Sequence, residues 1–247
     1  MASKVVFFSP DSVIGKLADW EIQSGSNPSL SRQRAQALKD NGDEMKAVQF
    51  GAQYSYQMNY KAKTLTGDAL TVPGAGEIIN GVHVDTITVS YSQQDFPALE
   101  VAAHAHAKVD GTQEDHDACR VYTGTVVLPP RPIGIPLTLK EKTGGTVFTC
   151  PEGVGMRSLV YALATNHIDE PDGDGNHLAG QNHDGTETLT LEFTGEVDVD
   201  DLEIGSGWML PDSDNKGRSN TGVHTTSITI TKHIGYDSEK TPTGAEN

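Results

Sequence analysis

The stretch Ile78-Ile79-Asn80-Gly81-Val82 constrains this chain more than any other. Asn-Gly between apolar strand ends favours the positive-φ, two-residue turn of a β-hairpin, whose twist matches that of the strands it joins. The run from Gly81 to Ser92 (Gly-Val-His-Val-Asp-Thr-Ile-Thr-Val-Ser-Tyr-Ser) is dense in Val, Ile and Thr, which suit a pleated, half-buried surface. An altered copy recurs at Gly222 to His233 (Gly-Val-His-Thr-Thr-Ser-Ile-Thr-Ile-Thr-Lys-His), with Gly-Val-His and then Ile-Thr at the same offset. Upstream of the copies lie Asp68-Ala69-Leu70-Thr71-Val72 and Asp200-Asp201-Leu202-Glu203-Ile204. Before those come the alternating runs Tyr54 to Met58 and Leu189 to Phe193. The order predicts two related β units, 52–108 and 186–233, built into one fold.

Composition points the same way. Of 247 residues 26 are Gly and only 36% are hydrophobic, a balance that favours many strands joined by turns. The expected fold is mostly β, a sandwich or barrel with one short helix. It divides into an N-terminal arm with that helix (1–50), a β domain (51–235) and a mobile C-terminal tail (236–247). The helix is expected over Leu30 to Lys39, which uses good helix formers, with Ser29 as cap and Asn41-Gly42 as a left-handed stop. It carries the basic cluster Arg32, Arg34 and Lys39, and one further helical turn is expected between Ser12 and Trp20.

From Ala52 to Ala62 the chain alternates strictly, placing Tyr54, Tyr56, Met58 and Tyr60 on one face, either core or a subunit contact. Aromatic residues are favoured at interfaces, so these four, with Asn80 and Gly81, are the interface candidates. Pro97 to Lys108 reads as a strand with Leu99, Val101, Ala103 and Ala105 inward and Glu100, His104 and His106 outward. Val121 to Leu128 and Met156 to Thr165 read as further strands, the latter with Leu159, Tyr161 and Leu163 on one face. Ile135 to Leu139 pairs with Val147 to Cys150. The segments 109–118 and 166–185 read as polar loops.

The net charge of -16 argues against a protein that reads nucleic acid through its phosphates. Between Arg157 and Lys216 there is no Lys or Arg, while carboxylates crowd the same span. Such one-sidedness costs self-repulsion unless divalent cations, a basic neighbouring subunit or a task of repelling polyanions accounts for it. The bland alternative is a solvated acidic face.

Candidate chemistry is sparse. Asp172, Asp174 and Asn176 have the D-x-D-x-N spacing of a calcium loop, but His177 and His183 stand where an EF-hand needs Gly and Glu, so an EF-hand is excluded. His104-Ala105-His106 sets two imidazoles on one strand face, a common metal pairing for which the sequence names no third ligand. Exposed or interface histidines are the expectation. No G-x-S-x-G elbow or phosphate-cradling loop is present, and nothing calls for an enzyme or a cofactor. Cys119 and Cys150 are expected as reduced, packed thiols. The apolar start is too short for a signal peptide, and no stretch is long enough to span a membrane as a helix.

Several stretches together carry a resemblance. They are Gly42-Asp43-Glu44 leading into the strand at Ala52 to Ala62, then Asn80 to Ser92 followed by Asp95-Phe96-Pro97-Ala98-Leu99, and His177 to Leu189 (His-Leu-Ala-Gly-Gln-Asn-His-Asp-Gly-Thr-Glu-Thr-Leu). In these the chain resembles virion structural proteins of tailed bacteriophages, most of all tail tube proteins. The likeness is one of pattern and transfers no catalytic residue. It implies a β-sandwich or barrel with a helix, stacked as homohexameric rings whose acidic lumen conducts DNA without binding it. The expected partners are further copies of the chain and other virion proteins, with assembly in the host cytoplasm and residence in the virion. Glu192, Glu196, Asp198, Asp200, Asp201 and Glu203, expected on strands, are the candidates for the lumen wall. The internal duplication departs from a single-domain tube protein and leaves another tail- or capsid-associated role open. The alternatives are a β-sandwich that binds calcium or carbohydrate through 166–185, and a metal-dependent β-barrel enzyme using His104 and His106.

Overall fold

The computed structural model describes residues 9–38, 44–108, 112–114, 116, 118–171, 177–198, 202–210, 215–218 and 224–235. A single helical turn, α1 (Asp11–Ile14), precedes the strands β1 (Trp20–Ile22), β2 (Asn27–Leu38), β3 (Glu44–Ala62), β4 (Ile78–Ile79), β5 (Val82–Ser92) and β6 (Ala98–Ala107). Further along the chain come β7 (Thr138–Lys140), β8 (Thr146–Thr149), β9 (Gly155–Pro171), β10 (His177–Thr194), β11 (Glu203–Ile204), β12 (Asn215–Arg218) and β13 (His224–Ile234). Ten strands form one antiparallel sheet in the order β1-β3-β6-β5-β9-β10-β13-β12, with β2 on β3 and β4 on β5. The remaining three, β11-β8-β7, make a small sheet. Its Leu139, Val147 and Phe148 share one hydrophobic core with Leu159, Tyr161, Leu163, Leu189 and Leu191 of the large sheet. The fold is thus mostly β with one short helix, as expected.

The period-2 patterns build this core. On β3, Tyr56, Met58 and Tyr60 are buried, so the tyrosine face is the chain's own core; only Tyr54 stays half-buried. That face is therefore occupied within one chain rather than offered to a second. On β5 the buried set runs Val82, Val84 and then Ile87, Val89, Tyr91. The change of phase falls at a bulge, where Val84 pairs with Ala103 but Thr86 with Ala102, leaving Asp85 as the extra residue. The Asn80-Gly81 hairpin forms as expected: φ is 52° at Asn80 and 74° at Gly81, and Ile79 pairs with Val82 across the turn.

Several expectations are corrected. Where a helix is expected over 29–39, residues 29–38 belong to strand β2, paired with β3 from Asn27↔Gln57 to Leu38↔Glu44. Helix propensity is a weak force beside a ladder of that length, and Asn41-Gly42 falls in the connection between the strands, outside the described residues. Val121 to Leu128 is no ladder strand. It touches neighbours through single bridges, Ala75↔Tyr122 and Val126↔Glu141, and is fastened by the buried Glu187 carboxylate, which accepts from the Thr125 amide and hydroxyl, the Val126 amide and the Tyr161 hydroxyl. The 166–185 loop is instead the far half of the β9–β10 ribbon, which pairs out to His177↔Pro171.

The duplication does not survive as topology either. β6 lies between β3 and β5, whereas their supposed counterparts β10 and β13 pair directly. Of the acidic candidates, Glu192 is on β10 and Glu203 on β11, but exposed Glu196 and Asp198 follow the end of β10 off any strand. Asp200 and Asp201 lie outside the described residues, as do the calcium-loop candidates Asp172, Asp174 and Asn176 and the tail 236–247.

Candidate metal centre

The large sheet opens at one place. β5 and β9 pair from Ser92↔Ser158 only as far as Thr86↔Ala164. Beyond that, β5 continues against β6 to His83↔His104, while β9 continues against β10 to Pro171↔His177. The two ribbons diverge, and polar side chains fill the cleft between them. His83 and Asp85 come from β5, His104 and His106 from β6, and His167, Asp169 and Asn182 from the β9–β10 ribbon. The connection after β6 supplies two more. Gln113 bridges Ala107, the Glu114 amide donates to the His106 carbonyl (2.8 Å), and the His116 amide donates to the Gly81 carbonyl (3.2 Å). That fold-back sets His116 and Cys119 against the cluster.

His104 and His106 are therefore not outward-facing: each keeps 6% of its exposure, the same as His116, and His83 keeps none. Rather than standing exposed at an interface, they sit in the cleft because the bulge and the opening of the sheet cover what alternation alone would leave in solvent. The third ligand that sequence could not name has several claimants. One ligating atom from each of His104, His106, His116, His167 and Asp169 falls in a single group whose members all lie within 4.8 Å of one another. His83, Asp85 and His104 form a second such group, and His83, Cys119 and His167 a third.

The hydrogen bonds order these rings. Asp85 Oδ1 lies 2.7 Å from His104 Nδ1 and 2.8 Å from His83 Nδ1. Asn182 Oδ1 lies 2.8 Å from His167 Nδ1 and 3.0 Å from His83 Nε2, and its orientation is fixed because Nδ2 donates to the Arg120 carbonyl at 2.7 Å. His167 Nε2 is 2.9 Å from Asp169 Oδ1. His106 Nε2 is 3.2 Å from the same oxygen, an ion-pair distance without hydrogen-bond alignment. His104 Nε2 and His116 Nε2 face each other at 3.2 Å. Gly180 is required where it is: a Cβ there would stand 2.8 Å from His167 Nε2 and 3.1 Å from His116 Cε1.

Charge follows from the contacts. Burial lowers the pKa of His83 below the ordinary value, outweighing the Asp85 carboxylate beside it. Burial would raise Asp85, but hydrogen bonds from His104 and His83 hold it below the usual carboxylate range. Burial also works against a charged His167, yet Asp169, Cys119 and Asn182 raise it to about 10. Partial desolvation would raise Asp169, whose side chain stays 37% exposed, but His106 and His167 hold it well below the carboxylate range. The cleft thus holds two carboxylates that stay ionised and a set of imidazoles gathered round them. Such a set can hold a positive charge, whether a proton or a metal ion.

The spacing His104-x-His106 is visible in the sequence. The matching spacing His167-x-Asp169 also puts two ligands on one side of a strand, and it is the signal that a loop assignment for 166–185 conceals. His116 carries none, since its place depends on the fold-back after β6. Cys119 and Cys150 are free thiols, and Cys119 donates to the Gly180 carbonyl at 3.4 Å. No known protein family matches the chain, and a comparison with curated proteins finds no match to it.

Proposed function

We propose that this chain is a non-enzymatic, self-assembling structural subunit of a phage virion, of the tail tube kind. The observation that carries the reading is the β2–β3 ribbon. From Glu44 to Phe50, β3 has no strand partner other than β2 among the described residues; its pairing with β6 begins at Ala52. The two strands therefore run on beyond the sheet by about 20 Å. A two-stranded ribbon alone is marginal in water, and among the described residues no further strand covers either edge of this end, where another chain could pair. A second copy is the occupant that makes such an arm worth keeping, because ring stacking gives every copy an identical neighbour. The resemblance to tail tube proteins, the net charge of -16 and the exposed Glu196, Asp198 and Glu203 agree with a subunit that lines an acidic bore.

Size-exclusion chromatography with negative-stain imaging tests this. Rings or tubes, hexameric rings by the resemblance, are the expected result; a monomer at high concentration with no particles overturns it. A second reading, the metal-dependent enzyme, draws on the burial of His104 and His106 among further ligands. It requires turnover that stops when the metal is removed.

A further inference from the structure

We propose that His104, His106, His116, His167 and Asp169 bind one divalent first-row transition-metal ion, which closes the cleft between the β5–β6 and β9–β10 ribbons. The inference stands on the fold of the single chain and does not depend on assembly.

The spacings fit a coordination shell. Metal–imidazole bonds run about 2.0–2.1 Å, so neighbouring donors stand about 2.9 Å apart in an octahedron and about 3.4 Å apart in a tetrahedron. The gaps His104 Nε2–His116 Nε2 (3.2 Å), His106 Nε2–Asp169 Oδ1 (3.2 Å) and His167 Nε2–Asp169 Oδ1 (2.9 Å) lie in that range. Two facing ring nitrogens can share at most one proton between them, whereas an ion accepts both lone pairs. All five donor atoms lie within 4.8 Å of one another, close to the span of about 4.2 Å between opposite corners of an octahedral shell.

The outer contacts are those of ligands already aimed. Asp85 takes the Nδ1 proton of His104, and Asn182 takes that of His167, so in both rings Nε2 is the nitrogen turned to the centre. Metal-binding histidines are held in this way by a carboxylate or carbonyl on the far nitrogen. Asn182 is itself held by the Arg120 carbonyl, and Gly180 lets the His167 and His116 rings lie against the backbone.

The donors select the class of ion. Four imidazoles and one carboxylate suit zinc, iron(II), cobalt(II) or nickel(II); calcium and magnesium want oxygen. Five protein donors nearly fill a coordination shell and leave little room for a substrate, so the ion is structural, with Asp169 on the exposed side of the group. It ties β6, the following connection and β9 together where no ladder joins them. Asp169, whose side chain is exposed, opens the group to solvent on one side and gives the ion a way in.

Cobalt(II) and zinc are the probes. The full-length protein, stripped with a chelator, is titrated with Co2+ while visible d–d absorption is followed, and its melting temperature is read with and without Zn2+. One equivalent of Co2+ with the spectrum of a nitrogen-rich site, and a rise in melting temperature with Zn2+, are expected. His106→Ala/His167→Ala should abolish the spectrum, and His183→Ala/His233→Ala, which removes histidines outside the cleft, should leave it unchanged. Asn182→Ala and Asp85→Asn keep all five ligands and should weaken Co2+ binding about 10- to 100-fold. If the ligand variant misfolds, these two still decide. Co2+ binding that is equally weak in the wild type and in Asn182→Ala, with no Zn2+ shift, overturns the assignment.

Discussion

Asn80 and Gly81 both take positive φ, and the hairpin they close positions more than its own two strands, since the Gly81 carbonyl also receives the His116 amide. Gly81→Val should therefore cost more than the ordinary penalty of about 1 kcal/mol for a side chain at positive φ, because a β-branched residue resists that conformation. Denaturant unfolding measures it, and a neutral result would place the turn's importance elsewhere. A second residue is silent in the sequence. Glu187 looks like one more carboxylate on an acidic stretch, yet it is fully buried and accepts from two amides and two hydroxyls. Replacing it with Leu leaves those donors without an acceptor, and we expect a loss of about 2–3 kcal/mol, whereas removing an exposed carboxylate such as Glu203 should change little. The Asn-Gly turn is legible because two adjacent residues contain all of its chemistry. Glu187 is not, because its donors come from residues 125, 126 and 161.

At the scale of elements, alternation foretells β3, β5, β6 and β9, since a period of two survives in the sequence wherever one face is buried, and within them it misleads only where β5 and β6 enter the cleft and bury both faces. It fails for β2. Leu30 to Leu38 has the residues of a helix, and only the long partner β3 makes it a strand. If the ribbon's projecting end serves assembly, in-register removal of Gln36-Ala37 with Lys46-Ala47 shortens it without moving any side chain to the other face. The melting temperature should stay near that of the parent while particles are lost; unchanged particles would show that the ribbon does not join copies. The small sheet is fixed to the large one by Lys232 of β13, which donates to Glu141 beside β7, with Trp208 Nε1 donating to the same carboxylate at 3.2 Å. The Lys232 hydrogen bond holds Glu141 below its ordinary value of 4.5. A depressed pKa in the folded state means the contact stabilises fully above the unfolded value and fades as pH falls through the folded one. Glu141→Gln should thus lower the melting temperature at pH 7 and converge on the parent as the pH falls below 4.5 and through the lower folded value. A constant gap across that range would deny the pair its role.

For the molecule as a whole, the distribution of charge asks most of the proposed function. The chain has net charge -16 and a one-signed acidic segment with no Lys or Arg between Arg157 and Lys216. Glu192 is held within the sheet, since Arg157 lies 3.7 Å from it and Ser158 donates to it at 3.1 Å. It is better counted as a strand-pair contact than as wall. Glu196, Asp198 and Glu203 remain exposed, the first two on the connection that leaves β10. In a DNA-conducting tube such residues keep the polymer moving, because each phosphate neutralised by a Lys or Arg releases counterions and adds affinity. Repulsion reaches only about 8 Å at physiological salt, so the wall has to be lined closely to act. On the outside of a particle the same carboxylates would aid solubility and nothing else. Exchange of Glu196, Asp198 and Asp200 for Lys separates the two placements. If they face the bore, particles assemble as before and DNA ejection slows or stalls, more severely at low salt. Ejection at the parent rate from particles carrying all three lysines would put the acidic surface outside and remove charge repulsion from the mechanism.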